Sequence, residues 1–109
     1  MTTETPVLDT LADLTAASLQ HNSLAPRELM LTRMAALIAM DAPPASYLAN
    51  AEAAAESGVT AEDVQGVMIA IAPVVGTARV VSAGGKIVRA LGLAIAVAES
   101  EMADGDDGQ

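Results

Sequence analysis

Three of the five basic residues, Arg79, Lys86 and Arg89, fall close together with Ser82 between them. At ~100° per helical residue the four share about a third of the helical circumference. A guanidinium and an ammonium set in an apolar wall hold a small carboxylate or another organic anion. The same stripe also serves a plainer purpose, pairing with Glu52, Glu56, Glu62 or Asp63 across a helix or subunit contact, and that is the commoner use of such charges. His21, the only histidine, stands beside Asn22. It is a candidate base, but a polar residue closing a helix is favoured there by the negative end of the macrodipole. Tyr47, the only aromatic residue, offers either a phenol to a pocket or a ring to an alanine-rich core.

Other chemistries lack their residues. The chain has no cysteine, which removes disulfides, thiolate metal sites and thiol redox steps. Glu52 and Glu56 lie one helical turn apart and Glu62 and Asp63 are adjacent, but no histidine shares their spacing, so no metal site is expected. Gly84 and Gly85 lack the Gly-x-x-x-x-Gly-Lys spacing of a phosphate loop. No serine stands in a nucleophile motif. The methionines, Met30, Met34, Met40 and Met68 among them, suit an adaptable core better than a cofactor box. No cofactor is expected.

At 109 residues the length fits one domain. The net charge of -9 and a pI near 4.1 oppose any partner bound through phosphate neutralisation, so nucleic acid is not expected. Mean hydropathy is +0.43, which predicts apolar surface left over in a chain this small. Uncharged apolar stretches from Val64 to Ala78 and from Ala90 to Ala98 are shorter than the ~18–20 residues that span a bilayer. No membrane association is therefore expected. The first residues, MTTETPVLD, do not read as a secretory signal, and the expected compartment is cytoplasmic. Surplus hydrophobicity without a membrane span predicts burial against other copies of the same chain, an obligate homo-oligomer.

Abundant alanine and scarce aromatics predict an all-α fold of about five helices. Thr5 and Pro6 open the first, with Val7, Leu8, Leu11, Leu14 and Leu19 at helical spacing as far as His21 and Asn22. Pro26 opens the second, which the Asp41 and Pro43-Pro44 region stops. The third fits Ala45 to Ser57, closed by Gly58 in a left-handed position. Thr60, Glu62 and Asp63 place a hydroxyl cap and two carboxylates at the start of the fourth. Pro73 is expected to kink or interrupt it, with Gly76 loosening the same region. A fifth helix begins about there and runs to about Glu101. The helical domain spans 1–102. Residues 103–109, ADGDDGQ, are expected to form a disordered acidic tail.

The order Leu24-Ala25-Pro26-Arg27, then Arg33-Met34-Ala35, an alanine-rich helix, Gly58-Val59-Thr60-x-Glu62-Asp63-Val64, and an apolar helix with Pro73 and Gly76 resembles the carboxymuconolactone decarboxylase and alkyl hydroperoxidase D-like superfamily. The resemblance covers roughly residues 8 to 98. It implies a small helical subunit assembled through swapped or interlocked helices, with a trimer or hexamer expected. Peroxidase members carry a Glu on the second helix and Cys-x-x-Cys-x-x-x-His at the start of the third. Anchoring on Pro26 and Arg33 puts Met30 at the Glu position. Anchoring on Gly58 puts Pro43 and Ser46 at the Cys positions and Asn50 at the His position. A competing register keeps Glu28 as the acid and puts Tyr47 at the His position. Both registers lack the thiolate and the resolving thiol that peroxide reduction needs.

Members with decarboxylase activity are expected to use polar groups near the same helix start. Here those are Ser46, Tyr47 and Asn50, none a good proton shuttle near neutral pH. Two functions follow. The first is a homo-oligomeric structural or interaction module without redox chemistry and without a catalytic residue. The second is a non-redox enzyme or a binder of a small carboxylate ligand, held by Ser46, Tyr47 and Asn50 with Arg79, Lys86 and Arg89 of the same or a neighbouring subunit. A third use, recruitment of a basic partner by the acidic tail, ranks below both.

Overall fold

A computed structural model describes residues 4–107. Those residues form five helices and no strand: α1 Pro6–Gln20, α2 Pro26–Ala39, α3 Pro44–Glu56, α4 Ala61–Val75 and α5 Thr77–Asp107. Proline opens α1, α2 and α3, where its missing N–H is no loss and its fixed φ already suits a helix. At α4 the Thr60 hydroxyl accepts from the Asp63 N–H at 3.1 Å, and the Asp63 carboxylate accepts from the Thr60 N–H at 2.9 Å. This reciprocal cap satisfies two backbone donors at once.

The ends of α2 and α3 share one geometry. After α3, the Gly58 N–H donates to Ala55 O and the Val59 N–H to Ala54 O, with Gly58 at φ 83°. After α2, the Asp41 N–H donates to Ile38 O and the Ala42 N–H to Leu37 O. Asp41 sits at φ 57°, where glycine is the usual occupant and Asp is among the few tolerated side chains.

One expectation about α4 changes. Pro73 lies inside α4, which continues to Val75. The break falls instead at Gly76, whose φ of 92° and ψ of 157° belong to a backbone region almost restricted to glycine. Proline removes only one bond of an established helix, whereas Gly76 turns the chain itself. Helix α5 runs to Asp107 and so takes in residues 103–107 of the acidic tail. Extending a formed helix adds one hydrogen bond for each residue fixed, which carries it past the apolar part of its sequence. Residues 108 and 109 of that tail lie outside the described residues.

Helices α2 to α5 share the core. Ile38, fully buried, packs with Met34, Ala42, Tyr47, Ala83 and Ala90, and Leu48, Val64, Met68 and Ile87 close around them. The α5 contribution to this buried centre is small, Ala83 and Ala90, which lets the long helix lie close to its neighbours. A second cluster joins Leu29 and Met30 of α2 to Ala54 of α3. Helix α1 packs against no other helix of the chain and buries none of its residues. Among its interactions with the body is an Arg33 guanidinium donating to the Ser18 hydroxyl at 3.2 Å. No single described helix is long and apolar enough to cross a membrane.

Candidate functional site

Two places bring the expected residues together, and they are distinct. The first is the corner between α2 and α3. Because Asp41 ends α2 in left-handed geometry, its carboxylate and its own carbonyl both face α5. Ser82 Oγ donates to Asp41 Oδ1 at 2.8 Å. Lys86 Nζ lies 2.9 Å from the same oxygen and donates to the Asp41 carbonyl at 3.2 Å. One turn back along α5, the Arg79 guanidinium donates to Ala39 O at 2.6 Å, satisfying a carbonyl left open at the end of α2. The Lys86 and Ser82 hydrogen bonds hold the Asp41 carboxyl below its ordinary range against the opposing effect of burial, and the Lys86 and Arg79 charges add to them.

The basic stripe is therefore divided. Arg79 and Lys86 bind the α2–α3 corner, Arg79 through Ala39 O and Lys86 through Asp41, and among the described residues neither pairs with Glu52, Glu56, Glu62 or Asp63. Asp63 pairs instead with Arg27 of α2 and carries the α4 cap, whose Thr60 N–H lowers its carboxyl below the ordinary range. Arg89 is exposed, with no hydrogen bond or ion pair among the described residues. Asp41 is the residue that sequence reading treated only as a helix stop. Its signal was a carboxylate just before Ala42-Pro43-Pro44, a place where αL-tolerant residues end helices.

The second place is an apolar groove between α3, α4 and α5, about 540 Å³ in volume. Met34, Leu48, Val64, Met68, Ile87 and Leu91 supply its larger walls, and Thr60 and Gln65 are polar residues along it. Of the six candidate ligand residues, Tyr47 alone lines it. Tyr47 is 4% exposed, and its hydroxyl is buried without a hydrogen-bond partner among the described residues. Burial pushes the Tyr47 phenol above its ordinary range, and the Asp41 charge acts in the same direction. The phenol is thus neutral near pH 7. Ser46 and Asn50 stay with their own helix, where Asn50 Nδ2 donates to Ser46 O at 2.9 Å. Ser46, Tyr47 and Asn50 do not converge with Arg79, Lys86 and Arg89 on one cavity.

His21 caps the exposed end of α1. Among the described residues no group of three His, Cys, Asp or Glu side chains is placed to hold a metal ion.

No curated protein and no solved structure matches the chain significantly. The family model described as the carboxymuconolactone decarboxylase family matches residues 5–88, from the start of α1 to the middle of α5. That match covers the corner and most of the groove, and it includes no cysteine. An all-helical chain with these helix boundaries, lacking the Cys-x-x-Cys-x-x-x-His motif, belongs to the carboxymuconolactone decarboxylase family.

Proposed function

We propose that the protein is the subunit of a homo-oligomer, a trimer or hexamer, which works as a structural or interaction module of its family without thiol peroxidase chemistry. The observation that carries this reading is α1. Val7, Leu8, Leu11, Leu14 and Leu19 are 53% to 70% exposed, and among the described residues their helix packs against no other helix. At 100° per residue these five side chains share one face. A helix with an apolar face and no partner in its own chain is stable only when another surface covers it. The radius of gyration supports the same reading. It is 16.1 Å, against about 13 Å for a compact domain of this length. With Arg79 and Lys86 tied to the α2–α3 corner, the stripe lends little support to a carboxylate site.

Native mass spectrometry combined with light scattering at micromolar concentration tests the proposal. A single species of three or six subunits is the expected result. A monomer at that concentration would end this reading.

A further inference from the structure

We propose that the groove between α3, α4 and α5 binds a neutral, largely apolar small molecule carrying one hydrogen-bond acceptor, which accepts a hydrogen bond from the Tyr47 hydroxyl. The volume of about 540 Å³ lies within the ~300–1,000 Å³ of small-molecule sites. No charged residue lines the groove, so an ionised ligand would lose its hydration without gaining a partner. This separates the site from the carboxylate expected of the basic stripe, whose Arg79 and Lys86 lie outside it and bind the α2–α3 corner. The inference does not depend on the chain forming an oligomer.

The Tyr47 hydroxyl decides the class of ligand. It is buried, neutral and without a hydrogen-bond partner among the described residues. Buried hydroxyls are ordinarily hydrogen-bonded, and one left alone marks a place where a partner is missing. Ordered water needs ~2–4 polar partners, and among the described residues none lies within hydrogen-bond distance of the hydroxyl, the Asp41 charge acting on it from farther off. The large side chains on the exposed face of α1 carry no acceptor either, so a second copy's α1 would cover the groove and leave the hydroxyl alone. A ketone, ester or ether on an apolar body meets both requirements. The walls can adapt to it. Met34 and Met68 are flexible thioethers on either side of the groove. At Gly84 a Cβ would come within 3.3 Å of the Met68 terminal methyl, so glycine there is what lets this thioether pack against α5, and a ligand reaches the solvent-closed hydroxyl only by displacing such flexible walls.

The test is fluorescence titration of the full chain, in its native assembly state, with two neutral probes. Nile red carries a carbonyl acceptor; diphenylhexatriene carries none. Both are expected to saturate at one site per chain. Ala51→Trp, from an exposed position that lines the groove, is expected to weaken both about tenfold while circular dichroism stays unchanged. Leu91→Trp fills the same groove from α5 and replaces that variant if its helicity is lost. Tyr47→Phe is expected to weaken Nile red about fivefold and leave diphenylhexatriene within about twofold. The proposal is overturned if neither probe saturates, if a folded groove-filling variant binds both unchanged, or if Tyr47→Phe alters both equally. Native mass spectra of the same samples give the subunit count. Probe binding only after the assembly dissociates would mean that a second copy holds the groove, which also overturns the proposal. A monomer that binds both probes as described would remove the oligomer and leave this site standing.

Discussion

Asp41 shows how one residue comes to hold two elements together. Its left-handed backbone is unfavourable for most side chains, yet that conformation turns both of its oxygen-bearing groups toward Ser82 and Lys86. Folding favours the charged carboxylate, since its pKa is lowered in the folded state. The stabilisation is therefore complete above the ordinary carboxyl range and is lost as pH falls from about 4 through the lower folded value. Asp63 adds a contribution of the same sign. The urea midpoint of the wild type is expected to drop between pH 6 and pH 3. Asp41→Asn tolerates the same backbone but has no charge, so it should start lower at pH 6 and lose less on acidification. An identical acid drop in both proteins would contradict the role given to Asp41. In the core, Ile38→Ala removes a side chain with no exposure and should cost about 2–5 kcal/mol in equilibrium unfolding.

At the scale of elements, boundaries follow from local chemistry. Proline at the first position of α1, α2 and α3, the Thr60 and Asp63 cap, and Gly58 after α3 all act within a few residues, so the helix starts were legible in the sequence. Pro73 misled because a proline near the last turn of a helix need not end it; the neighbouring Gly76 does. No atom lies within 4 Å of a Cβ built at Gly76, so Gly76→Ala meets only the backbone cost of its φ and ψ. Thermal unfolding is expected to show a loss of about 1–3 kcal/mol. An unchanged melting temperature would mean that α4 and α5 rejoin as one helix. Thr60→Ala removes the α4 cap and should cost about 1 kcal/mol by the same measurement.

At the scale of the molecule, the high mean hydropathy finds its place on α1 and on the outer faces of α4 and α5, where Ile69, Val74, Val81 and Val88 are each more than 65% exposed. Leu11→Lys combined with Leu14→Lys changes only exposed side chains of α1. It is expected to reduce the assembly to smaller species by light scattering while leaving the helicity of α2 to α5 intact. An unaltered mass would remove α1 from the interface. The helical class, most helix boundaries, the family and the loss of thiol chemistry are readable along the chain, because caps, prolines, glycines and missing residue types act locally or by composition. The pairing of Lys86 with Asp41 and of Arg27 with Asp63, and the parting of Tyr47 from Ser46 and Asn50 to line an apolar groove, emerge from the packed helices alone. Helical periodicity assigns a residue to a face, but the partner of that face is set by how whole helices pack, through contacts between residues far apart in the chain.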